Sequence, residues 1–378
     1  MPRSVVFVEF HRSCFAAYME TKAKIIKKIV RIVLTLAGIL LLKGCFAWSN
    51  RFSEAYFHRW YSSISTVFRQ LTGIVPFSVG DVIYTAWIVT SLFYLLKLCY
   101  KLVRLQWGEA GWLTLRGIHF VLKLYLAFLI LWGFNYERNT LLRDTGIITG
   151  DYNTQQLYQL SDTLLRLTNA EKQRLGDTIG VTRPDLTTPL FARAAAAYQA
   201  AAERWPAFRY KAPCVKKALF GEWLNYPGVT GYLNPFTLEA QVNTTVPTVL
   251  QPIITCHEIA HQLGYAPEED ANFVGYLAAT SIQDSHFRYA ANFDMLLYSV
   301  RQLAVRDTVL AKDIWRRALP GVKADYKSII TFYEKYTGKV DDYSTVLYDQ
   351  YLKANKQQKG IRSYSEVTGW LIAWFKIR

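Results

Sequence analysis

Between Val82 and Leu96 the chain carries no charged residue, inside an apolar stretch that runs from about Val79 to Tyr100. A segment of that length satisfies its backbone polar groups away from water most simply as a helix, long enough to cross a bilayer. Two further stretches read the same way, about Ile29 to Trp48 and about Ile118 to Phe134. Arg31 and Lys43 stand near the ends of the first, where long side chains can snorkel, and His119 and Lys123 open the third. Trp48, Trp60, Trp107, Trp112 and Trp132 flank these stretches as interfacial aromatic residues do. The competing reading is a set of buried helices in a large soluble domain. The 51% hydrophobic content, concentrated early in the chain, favours spans.

The formal charge of +15 does not call for a nucleic-acid partner. Residues 1 to 134 hold 16 Lys and Arg against 5 Asp and Glu, whereas the rest holds 28 against 24. The basic excess therefore belongs to the membrane part. Lys22, Lys24, Lys27, Lys28 and Arg31 precede the first stretch, and Lys97, Lys101, Arg104 and Arg116 bracket the connection between the second and third. Positive flanks mark the cytoplasmic side, so three crossings place everything after Phe134 outside the cytoplasm. The expected division is a membrane anchor at 1–134, with the lipid bilayer as its partner, and an extracytoplasmic domain at 135–378. The aromatic-rich segment Ser49 to Gly80 reads as an interfacial amphipathic helix. No cleavage pattern marks the first stretch as a removable signal peptide.

The outer part reads as mainly α with a small β element. Leu157, Leu160, Leu164 and Leu167 recur at helical spacing over about Thr154 to Asn169, and a second helix is expected over about Asp185 to Trp205. From Pro206 to Pro247 the texture turns to Gly, Pro, Asn and aromatics, which suits turns and short strands. Helical patterns follow at about Glu269 to Ile282, Asp284 to Val305, Val322 to Tyr336 and Ser344 to Asn355. Cys214 and Cys256 form an even pair in an oxidising compartment, which allows either a disulfide or two buried thiols.

The chemistry concentrates in His257-Glu258-Ile259-Ala260-His261, an HExxH sequence. Histidines four apart on a helix face the same way and can share one zinc ion, with Glu258 beside them to take a proton from water. Pro252 near the expected helix start and Gly264 just past its end frame a helix around the motif. Pro267 occupies the place where a metzincin carries its third histidine, so that pattern is excluded. Glu268-Glu269-Asp270-Ala271-Asn272 instead resembles the ExxA[DN] segment of gluzincin-type metallopeptidases. That resemblance implies Glu268 as third ligand and Asn272 as the residue supporting a bound histidine. Glu269 is the next choice as ligand, and an acidic helix start without metal contact is the plain alternative.

Over nearly its whole length the chain resembles an uncharacterised bacterial family of membrane proteins with three N-terminal spans and a zincin-like domain. The residues that carry the likeness are Gly133-Phe134-Asn135-Tyr136-Glu137-Arg138, Gly231-Tyr232-Leu233-Asn234-Pro235-Phe236-Thr237, Cys256 through Gly264, and Glu268 to Tyr276. Tyr348 to Lys353 and Ser363-Tyr364 add to it. The expected protein is an inner-membrane, multi-pass zinc hydrolase whose substrate is a peptide or protein outside the cytoplasm. Glu258 would act as base, and Tyr364, Tyr351 or His286 would stabilise the oxyanion. A non-catalytic zinc-binding scaffold or envelope assembly component is the alternative.

Overall fold

A computed structural model describes residues 3–137, 141–176, 187–338, 350 and 364–377. The longer helices, in chain order, are α1 (Arg3–Trp48), α2 (Ser62–Gly73), α3 (Val79–Val103), α4 (Trp107–Leu131), α5 (Thr154–Leu175) and α6 (Thr187–Arg204). Three short strands follow, β1 (Val215–Lys217), β2 (Gly231–Leu233) and β3 (Ala240–Val242). Then come α7 (Gln251–Gln262), α8 (Glu268–Ser281), α9 (Ser285–Arg306), α10 (Thr308–Arg316), α11 (Pro320–Glu334) and α12 (Tyr364–Trp374). The fold is mainly helical with one small sheet.

The chain divides into two compact units, one comprising residues 1–52 and 83–130, the other 53–82 and 131–378. The first unit holds α1 and most of α3 and α4. Two helices among the described residues, α3 and α4, are long and apolar enough to cross a membrane. Leu92, Phe93, Leu95 and Leu96 of α3 and Phe120 and Val121 of α4 are exposed, as side chains facing lipid would be. Polar contacts inside the unit run from α1 to α4, where Lys28 Nζ meets His119 Nδ1 at 2.9 Å and Lys43 Nζ donates to the Tyr125 hydroxyl at 3.3 Å.

The second unit has the continuous core. Leu157, Leu160 and Leu164 are fully buried on α5, as their spacing requires, against the broad face of α9. Leu167, the fourth residue of that series, is 37% exposed because the helix carries it out of the contact. Asn153 and Gln156 close a reciprocal capping box at the start of α5. Behind these helices α7 packs on α8, and α8 on α6. The sheet lies against α7 in the order β1-β3-β2, with β3 parallel to β1 and antiparallel to β2.

Residues 53–82 belong to this unit, with one face of their helix buried in it and Trp60, Val67 and Leu71 exposed. Tyr61 and Ser65 are buried, and their hydroxyls donate to the Gln262 carbonyl at 3.1 and 3.2 Å. They satisfy a carbonyl left open at the end of α7, which periodicity within 49–80 could not disclose. Glu239 likewise accepts from the backbone N–H groups of Val79 and Gly80, at 3.2 and 2.7 Å. Cys214 and Cys256, one option for a disulfide, are free buried thiols. Cys214 Sγ lies 3.4 Å from the Thr72 hydroxyl, while Cys256 points into the apolar core and burial pushes its thiol well up.

Candidate metal centre

α7 forms because an apolar approach ends at Pro252, whose missing N–H costs nothing in the first turn. It stops where expected. Gly264 takes φ +91°, its N–H bonds back to the His261 carbonyl at 2.8 Å, and the Tyr265 N–H reaches the Ala260 carbonyl at 3.2 Å. That pair of bonds is the Schellman ending of a helix. Tyr265 is thereby turned over the end of α7, and its carbonyl is the partner of His261 Nδ1 at 2.7 Å. With Nδ1 donating there, Nε2 of His261 carries the free lone pair. Trp132 stands edge-on to the same ring, with centroids 5.9 Å apart.

Pro267 turns the chain into α8, and Glu268 is its first residue. Its carboxylate spans the two histidines, Oε2 lying 3.2 Å from His257 Nε2 and Oε1 3.6 Å from His261 Nε2. One donor atom from each of His257, His261 and Glu268 falls within 4.8 Å of the others, the spacing at which a single ion could be held. Glu268, and not Glu269, is the acidic residue of that group. Glu258 and Asn272 are buried nearby. His257 Nδ1, Glu258 Oε2 and Asn272 Nδ2 are buried without a hydrogen-bond partner, so the cluster retains unmet polar capacity.

The electrostatics hold positive charge between the two rings. Burial alone would lower the His257 pKa, yet the hydrogen bond and charge of Glu268, with help from Glu258 and Asn272, bring it up to about 9. Burial would raise Glu268, but the two histidines more than offset it and hold its carboxyl well below the usual range. Glu258 is pushed up to about 7 by burial, with His257 and His261 opposing. The group therefore stabilises positive charge between the rings, and a divalent ion suits the same place. The two-nitrogen, one-carboxylate donor set is one that zinc accepts.

The sheet reaches the centre through β2. Its Gly231 lies so close to Glu258 that a Cβ there would meet Oε1 at 2.5 Å and Cγ at 2.8 Å. Glu258 is thus held between its own helix and an edge strand. The sequence pointed to this segment as a strand but not to the contact. It also missed the carbonyl of Tyr265, because a backbone acceptor leaves no trace in residue type.

Of the other residues singled out in the sequence, His286 opens α9, where its backbone N–H donates to Asp284 at 2.9 Å, and it does not join the ligand group. Tyr364 opens α12, but its side chain lies outside the described residues, as does Tyr351. The helix expected over 344–355 lies outside the described residues except at residue 350.

The sequence pattern of a family described as "Protein of unknown function (DUF3810)" matches residues 56–372. The chain belongs to this family. Its matched region begins within the segment that packs on the end of α7 and includes both apolar helices and the whole ligand group. No curated protein and no solved structure matches the chain.

Proposed function

We propose that this member of the family is a membrane-anchored zinc hydrolase with a zincin-like domain, cleaving peptide or protein amides on the outer face of the cytoplasmic membrane. The observation that carries the reading is the convergence of His257, His261 and Glu268 within 4.8 Å, with buried Glu258 next in the chain. Among the described residues the group supplies three donors. That set is short of the four that close a structural zinc site and leaves room for substrate.

When bound, zinc would supply Lewis acidity at that open position, making a water a better nucleophile and a carbonyl a better electrophile. The remaining work falls to the chain. Glu258 Oε2 takes a proton from the attacking water and returns it to the departing nitrogen. His261 is kept in one tautomer by the Tyr265 carbonyl, so Nε2 keeps the lone pair that would bind the ion. Among the described residues β2 pairs only with β3, so its outer edge would offer backbone groups to an extended substrate.

The test is Glu258→Gln in the full-length protein in detergent, assayed for bound zinc and for peptide turnover. Zinc should stay at the wild-type level while turnover falls about a hundredfold or more. Full turnover in the variant would reject the base assignment, and loss of zinc would make Glu258 a ligand. Wild-type protein that binds no zinc would reject the metal centre itself.

A further inference from the structure

Between β1 and β2 the second unit leaves Leu219, Phe220, Trp223 and Tyr226 exposed, Trp223 to 75%. The Trp223 and Tyr226 rings stand 6.5 Å apart, and Tyr226 packs edge-on against the buried Tyr336 at 5.2 Å. Glu222, the acidic residue among them, accepts from the Tyr336 hydroxyl at 2.7 Å. Lys217 at the end of β1 and Lys335, 5.0 Å from the Tyr336 ring centre, put exposed positive charge beside the group. Single apolar side chains at a surface need no explanation, but a group of them with aromatic rings marks a place where something else binds.

The group is fastened to the start of α3. The Leu219 N–H donates to Asp81 Oδ2 at 2.8 Å, and the Tyr232 hydroxyl of β2 donates to Oδ1 of the same carboxylate. Glu239 accepts from the Val79 and Gly80 N–H groups, as described above. Lys216 of β1 donates to the Val75 carbonyl, between Ile74 and Phe77, which are themselves exposed, Ile74 to 81%. Asp81, Glu239 and Lys216 are buried, and buried charged groups with their hydrogen bonds made hold the joined segments in one geometry. Two apolar groups, one just ahead of α3 and one from the sheet, therefore meet the point at which α3 begins. From Val82 that helix exposes apolar side chains of its own, with no charge before Lys97. A protein partner could dock anywhere on the unit. A bilayer calls for apolar and aromatic surface at the start of a span.

We infer that Leu219, Phe220, Trp223 and Tyr226, with Ile74 and Phe77, insert into the boundary between headgroups and acyl chains of the bilayer that α3 crosses. This rests on the membrane part of the reading above and not on the metal. Tryptophan and tyrosine suit that boundary because their rings are apolar and their N–H and O–H groups stay hydrated, while Lys217 and Lys335 meet lipid phosphates. The same ties reach the candidate metal centre. Tyr232 follows Gly231, the glycine set against Glu258, so the hydrogen bonds that seat the group at the membrane also hold the strand beside the base.

The test is fluorescence of the full-length protein reconstituted in vesicles of phosphatidylethanolamine and phosphatidylglycerol, with plain or brominated acyl chains. The emission of Trp223 is read as wild type minus Trp223→Phe, a change at an exposed ring that leaves the core untouched. That emission should be blue-shifted, should be lost in the brominated vesicles, and should resist acrylamide added to the water. Phe220→Trp in the Trp223→Phe protein gives a second probe, for which the same three results are expected. Quenching by acrylamide with no effect of bromine, at either position, would put the group in water and overturn the proposal. Protection from both quenchers would mean that a protein surface covers it, a second copy or another chain, and would overturn it too. Release of the wild-type protein from the vesicles by alkaline carbonate would defeat the membrane reading itself and the proposal with it. A protein that resists carbonate but keeps Trp223 in water defeats the proposal alone.

Discussion

Glu268 differs from the two acidic residues after it in what its carboxylate faces. It spans His257 and His261, whereas Glu269 and Asp270 stand in the first turn of α8 outside the ligand group. On the zinc reading, Glu268→Gln should weaken zinc affinity more than any other change in α8, because a neutral amide is a poor substitute for a carboxylate ligand. Glu269→Gln and Asp270→Asn should cost only about 0.3 to 1 kcal/mol of helix-end electrostatics. Asn272→Ala should fall between, at about 10- to 100-fold in affinity, because Asn272 helps raise the His257 pKa without entering the ligand group. Zinc dissociation constants for the four variants check the order, and equal affinities would place the third ligand elsewhere. Gly231 supports a separate prediction about the base. Gly231→Ala must displace the Glu258 carboxylate, so turnover should drop about tenfold or more with zinc retained. Unchanged turnover would mean that Glu258 has room to move.

The two helices that carry the ligands approach as closely as backbone allows. A Cβ on Gly275 of α8 would come 3.0 Å from the His257 nitrogen and 3.2 Å from its Cα. Neither neighbour is a side chain that can swing away, so Gly275→Ala should lower stability by about 1 to 3 kcal/mol. It should also weaken zinc binding by shifting α7 against α8, and thermal melts with and without zinc would register both effects. The strength of sequence reading at this scale follows from the same distinction between local and distant causes. α5 and α7 were legible because a leucine period and the Pro252 to Gly264 frame are local signals. The pairing of His257, His261 and Glu268 was legible because only a turn separates α7 from α8. What stayed hidden depends on contacts between distant segments. Tyr61 and Ser65 meet α7 across nearly two hundred residues. The order β1-β3-β2 puts a parallel and an antiparallel neighbour on one central strand, a choice that three-residue strands do not announce. Tyr61→Phe should therefore cost about 0.5 to 1.5 kcal/mol, the worth of the hydrogen bond at the end of α7, despite its place in a segment that reads as amphipathic surface.

At the scale of the whole molecule, the order of the two units along the chain constrains the topology. Residues 53–82 and 131–378 make one unit, so both pieces must lie on the same side of any membrane that α3 and α4 cross. An out-and-back pair of helices meets that requirement: α3 leaves this side and α4 returns. On the membrane reading, the connection between them, at Arg104 to Gln106, would lie on the opposite side, with Lys97, Lys101, Arg104 and Arg116 as the positive flank expected of a cytoplasmic loop. If the apolar part of α1 crosses as well, the lysines before it share that cytoplasmic side and the candidate metal centre faces outward. Two reporters test this without reference to activity. A reporter active only outside the cytoplasm should be active when fused after Arg378 and inactive when inserted after Leu105, while a cytoplasmic reporter should give the opposite pair. Matching results at the two positions would show that α4 does not return across the membrane. A reversed pair would put the ligand group in the cytoplasm, where an extracytoplasmic peptide could not reach it.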